Sequence, residues 1–221
     1  MKLLSVNRAR SIWIGSLKDL NPRGHSLVKM VPEIVNKYKF MKFPTKLEEL
    51  NLEEGVSFQE GMFQNKEGHE IYIEINAFNW GIVGETRSST QDSDDFLDGF
   101  LTWLVGELDL VPYKEILKRK IYVSELWVQT DKTLNGLNPK LAKSANRLAS
   151  LIVGHEHHQV EFETSGIIFS CNPETIGPPG SFRFERAEGV PFNENRYYSA
   201  APLQTDAHFE ILKELEKLLS S

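Results

Sequence analysis

Residues 69–78, HEIYIEINAF, alternate in polarity along an extended chain: Ile71, Ile73 and Ile75 fall on one side, Tyr72, Glu74 and Asn76 on the other. A period of two marks a strand with one dry face and one wet face. Such a strand is not stable alone; it needs strand neighbours and a layer over its apolar side. The neighbours are close in sequence. VSFQEGMFQ (56–64) precedes it across the turn NKEG, and WGIVGETR (80–87) follows. These spacings predict an antiparallel meander whose isoleucine face must be covered.

The cover comes next. SSTQDSDDFLDGFLTWLVGEL (88–108) places Phe96, Phe100, Trp103 and Leu104 at helical spacing. Ser89 or Thr90 can cap its start, and Asp92, Asp94 and Asp95 suit the positive end of a helix dipole. Upstream, ARSIWIGSL (9–17) reads as a strand ended by the turn cluster NPRG, and MVPEIVNKY (30–38) as a helix with Pro32 in its first turn.

The second half runs in a similar order. KIYVSELWVQT (120–130) is a strand with apolar residues on both faces, Ile121, Val123 and Trp127 against Tyr122, Leu126 and Val128. PKLAKSANRLASLIV (139–153) is a helix capped by Asn138, with Leu141, Ala145, Leu148 and Ile152 on one stripe and Lys140, Lys143 and Arg147 on the other. QVEFETSGIIFS (159–170) and SFRFERAE (181–188) are strands joined by CNPETIGPPG, whose Gly-Pro-Pro-Gly run stays out of a sheet. TDAHFEILKELEKLL (205–219) is an amphipathic helix. The order predicts an α+β fold: a largely antiparallel sheet with helices on one side. Two ferredoxin-like βαββα halves, residues 1–111 and 112–221, would give it while forming one compact unit.

Length and composition agree. A chain of 221 residues with 40% apolar and 25% charged side chains can bury a substantial core. The first residues, broken by Arg8 and Arg10, do not read as a signal peptide, and FLDGFLTWLVGELDLV is too short and charged to span a bilayer. The single cysteine, Cys171, excludes an internal disulfide framework and fits a reducing, cytoplasmic setting with no membrane partner. Charge is uneven: residues 1–46 hold ten cations against two acids, a balance of +8, so a net −6 leaves −14 on the other 175 residues.

Four clusters could carry function. GHEHHQ (154–159) holds three of the six histidines. Extended, His155 and His157 would lie roughly 6.5 to 7 Å apart on one face, a spacing that can chelate zinc or iron. A site needs a third ligand, and none stands at a readable distance; a polar exit from the preceding helix explains the run more simply. The acids Asp92, Asp94, Asp95 and Asp98 could hold Mg²⁺, but a helix start uses aspartate structurally. NKYKFMKFPTK (36–46) interleaves Lys37, Lys39, Lys42 and Lys46 with Tyr38, Phe40 and Phe43, a pattern suited to single-stranded nucleic acid or to a strand edge with buried rings. FRFERAEGVPFNENRYYSAAPL (182–203) concentrates Arg183, Arg186, Arg196, Tyr197 and Tyr198, residue types enriched at binding hot spots, in what reads as a strand followed by a long ordered loop.

Neither a phosphate-binding glycine motif nor a nucleophile elbow is present. The expectation is a non-catalytic, cofactor-free protein that binds another macromolecule, a protein or a second copy of itself, through the Arg/Tyr-rich segment and the basic N-terminal segment. A metal-dependent hydrolase or nuclease using His155 and His157 is the alternative. A nucleic-acid binder using Lys37, Tyr38, Lys39 and Lys42 is the second.

Overall fold

The computed structural model describes residues 1–153, 160–175, 177 and 179–219. Among them the fold is α+β, with eight strands and six α-helices. In chain order these are β1 (Lys2–Ile14), α1 (Leu17–Leu20), α2 (Leu27–Tyr38), β2 (Val56–Gln64), β3 (Glu70–Phe78), β4 (Gly81–Thr86), α3 (Thr90–Leu108), α4 (Tyr113–Ile116), β5 (Arg119–Gln129), α5 (Pro139–Val153), β6 (Gly166–Phe169), β7 (Phe182–Arg186), β8 (Arg196–Ala201) and α6 (Thr205–Leu219). The chain divides into two compact units. One comprises Val6–Ser124 with Pro202–Thr205; the other comprises Met1–Ser5, Glu125–Ala201 and Asp206–Ser221.

In the first unit the strands run β2-β3-β4-β1, antiparallel throughout. The isoleucine alternation sets the register: Ile75 stands opposite Phe58 and Gly84, and Ala77 opposite Val56 and Ile82. Ile73 and Ile75 are buried while Tyr72 is exposed, as the period of two requires. α3 covers the apolar side. Its cap is Ser89, whose side chain accepts the Asp92 N–H at 3.0 Å. Gly84 lets the helix sit close, since a Cβ there would stand 2.9 Å from Leu97 Cγ. Ser93 Oγ then donates to the Ala9 carbonyl at 2.8 Å, tying α3 to β1.

α2 packs beside it through Tyr38, whose ring meets Phe96 and Trp103 edge-on at 5.0 and 5.9 Å. Burial pushes the Tyr38 hydroxyl up to about 12. This helix starts at Leu27, earlier than the sequence predicts, so Pro32 lies inside it and not in its first turn. The amide that Pro32 lacks would have bonded to the carbonyl of Val28, an exposed residue that water can satisfy.

In the second unit the order is β5-β8-β7-β6, with β8, β7 and β6 antiparallel. α6 covers one side, burying Leu212, Leu215 and His208, with the imidazole set edge-on to Phe182 at 5.9 Å. β8 corrects the sequence reading, which took RYYSAA for loop. With it each half of the chain runs β-α-β-β-β-α and repeats one strand order, β2-β3-β4-β1 and β6-β7-β8-β5. A ferredoxin-like unit runs β-α-β-β-α-β, with a helix before its last strand, so that comparison is not supported.

Candidate partner-binding surface

β7 and β8 divide the Arg/Tyr-rich segment between two faces. Phe182 and Phe184 on β7, with Tyr197 and Ser199 on β8, are buried toward α6. Arg183, Glu185, Arg196, Tyr198 and Ala200 fall on the other face by alternation, and register links the strands there: Ile168–Arg183–Ala200 form one cross-strand row, Gly166–Glu185–Tyr198 the next. Trp127 of β5 extends the second row, its ring 5.2 Å from that of Tyr198.

Two of the five predicted contact residues leave this surface. Tyr197 is fully buried, stacked on Phe184 at 4.7 Å, with its hydroxyl donating to the Lys132 carbonyl at 3.3 Å; burial raises its pKa against the nearby Arg186 charge. Arg186 turns inward to pair with Glu163 and donates to the Phe192 carbonyl at 2.9 Å, its guanidinium 4.7 Å over the Phe192 ring. It holds the 188–195 segment against β7. Arg183 and Arg196 remain exposed, and Tyr198 half-buried. Arg196 pairs with Glu194 at 3.1 Å, whereas Arg183 has no acidic partner among the described residues.

Exposed apolar side chains, which the sequence reading did not assign to a surface, occur in the same unit, and one of them, Ile168, stands opposite Arg183 in register. On β6, the last strand of its row, Ile168 is 54% and Phe169 57% exposed. α5 is capped as expected, Asn138 Oδ1 accepting the Lys140 N–H at 3.1 Å, yet its predicted core stripe is not buried: Leu141 is 48% and Leu148 51% exposed, Ala145 and Ile152 are only partly buried, and Leu151 beside the stripe is 52% exposed. Lys140, Lys143 and Arg147 are exposed too, and the helix carries no acid. Leucine spacing in the sequence announced an apolar face but could not say whether the fold would cover it.

The other clusters are accounted for differently. His155 and His157 lie outside the described residues. Among those described, no three His, Cys, Asp or Glu side chains gather to hold a metal ion. The aspartates at the start of α3 are each engaged: Asp92 by Asn65 and Ser89, Asp94 by Ser11, Trp13 and Lys120, Asp95 by Lys66, Asp98 by Tyr113. In the basic-aromatic stretch Tyr38 and Phe40 are buried, which removes them as stacking platforms for bases. Lys37 lies 4.9 Å over the Trp103 ring, Lys39 is exposed, and Lys42 pairs with Glu60 at 2.6 Å.

One pair has the look of a nucleophile and base: Ser199 Oγ stands 2.8 Å from His208 Nε2. The hydroxyl, however, donates to the Arg183 carbonyl at 2.7 Å, which leaves the imidazole N–H as donor to Oγ. Both residues are fully buried, and burial lowers the His208 pKa to about 4. This is a core hydrogen bond.

No family model matches the chain, and no curated protein matches it. Among the described residues no helix is long and apolar enough to cross a membrane.

Proposed function

We propose that the chain is a non-catalytic protein-binding module whose partner offers a segment bearing both carboxylates and apolar side chains. The observation that carries this reading is the exposure of Ile168 at a strand edge, directly opposite Arg183 in register, with Phe169 exposed on the other face of the same strand. An open edge can accept an added strand, with main-chain bonds for affinity and side chains for choice. A cation without an acidic partner favours a carboxylate in the guest. The exposed leucines and cations of α5 supply a second element of the same chemistry in the same unit. The lone Cys171 supports a reducing, cytoplasmic setting.

The test is selection from a display library of random short peptides against the intact protein. The expected winners combine Asp or Glu with Leu, Ile or Phe, and lose binding to an Ile168→Asp, Arg183→Glu variant that keeps the wild-type circular dichroism spectrum. Winners without acids, or winners bound equally by the folded variant, would refute the reading.

A further inference from the structure

The first unit holds a pocket of about 240 Å³, open to solvent on one side, between its helices and the buried face of β2, β3 and β4. Leu20, Met30, Ile34, Phe58, Ile75 and Leu101 form its depth, and all six are buried. Leu27, Leu52, Val105 and Leu110, each only partly buried, lie nearer the solvent. Protein interiors pack as densely as organic crystals, and voids larger than a water are few. An engineered cavity of roughly 150 Å³ with such walls stays dry and binds benzene. The present one is larger. Water would need two to four polar partners inside, and the walls do not offer them. The Tyr113 hydroxyl is committed to Asp98 at 2.6 Å, and the Asn21 amide to the main chain of His25 at 2.8 Å through both its oxygen and its nitrogen.

One charged group lines the space. Lys18 is exposed, and its ammonium stands 3.9 Å from Glu53, a loose pair between two exposed side chains. We infer that this cavity binds a small aliphatic carboxylate, its chain among the leucines and its head group at Lys18. Scaled from benzene in roughly 150 Å³, the space takes roughly ten carbon atoms. Aliphatic lining outnumbers the aromatic residues Phe58, Phe100 and Tyr113, which favours a flexible chain over a flat ring. This site does not depend on the partner surface of the other unit.

Calorimetric titration of the whole protein with decanoate and with decanol tests it. Both should bind saturably at one per chain, with a negative heat-capacity change from apolar burial. Ala77 lines the cavity between Val56 and Ile82. An Ala77→Ile variant fills space there and should raise the melting temperature of the ligand-free protein while weakening both ligands at least tenfold. Val105→Phe, at a partly buried position, gives the same readout if the strand variant folds poorly. Lys18→Gln should weaken decanoate severalfold and leave decanol unchanged. Absence of saturable binding by both probes, or binding indifferent to both filling variants, overturns the site; equal affinities of the wild type and Lys18→Gln for decanoate overturn the head-group assignment.

Discussion

The indole N–H of Trp13 donates to the Asp94 carboxylate at 2.7 Å, joining the buried C-terminal end of β1 to the second turn of α3. The same oxygen accepts Ser11 Oγ at 2.5 Å. The other oxygen takes Lys120 Nζ at 2.7 Å, and that ammonium lies 3.9 Å from the centre of the Trp13 ring. One acid thus accepts from two polar groups of the core. Replacing Asp94 with Ala removes the acceptor of the Ser11 hydroxyl and leaves the Trp13 N–H only its bond to Ser11 Oγ at 2.9 Å, and an unsatisfied buried donor costs about 1–3 kcal/mol. Urea denaturation should show Asp94→Ala losing about 2–3 kcal/mol and Asp94→Asn, which keeps an acceptor, losing less.

His208 sets an acid limit on stability. Its folded pKa, near 4, lies below the ordinary value of 6.5, so the unfolded chain binds the proton more readily. The stabilising contribution is complete above pH 6.5 and is lost as pH falls toward 4. Each unit of pKa difference is worth about 1.4 kcal/mol, which puts the full loss on the order of 3 kcal/mol. Melting temperatures measured between pH 7 and 5 should fall for the wild type and stay flatter for His208→Gln.

Exposed and buried leucines should separate cleanly. Leu148→Ser on α5 changes a half-exposed side chain and is expected within about 0.5 kcal/mol of wild type. Leu126→Ala in β5 empties a fully buried position and should cost about 2–5 kcal/mol. Equilibrium unfolding of both variants decides it; a large loss at Leu148 would mean that its face is covered in solution.

Arg186 is predicted to act as a clamp. Its planar guanidinium reaches Glu163, the Phe192 carbonyl and the Phe192 ring together, which a lysine ammonium does not reproduce. In Arg186→Lys, limited proteolysis should cut within residues 188–195 faster than in the wild type, with cutting elsewhere unchanged.

The meander was the most legible part of the fold. β2 has the predicted limits 56–64, because its neighbours, its turn and the isoleucine alternation agree, although a bulge between Phe58 and Gly61, which the sequence did not announce, shifts its register against β3. β8 was illegible for the opposite reason. In RYYSAA the buried Tyr197, Ser199 and Ala201 differ little in polarity from the outward Tyr198 and Ala200, so alternation leaves no contrast. Of the Arg/Tyr-rich segment, residue type pointed to a surface, but the strand pleat decides which side chains reach it. Tyr197 and Tyr198 are adjacent in sequence and opposite in fate. The stripe of α5 was legible as a pattern and misleading as a core, since amphipathicity records what a helix could bury and not what stands beside it.

β6 is only four residues long, with an unpairable Gly-Pro-Pro-Gly run in the segment between it and β7. A guest strand along it gains few main-chain bonds before the edge runs out. Residence there would be brief, and the same brevity keeps the bare edge from seeding fibres when nothing occupies it. On the proposed reading, shortness therefore favours exchange at this edge over storage.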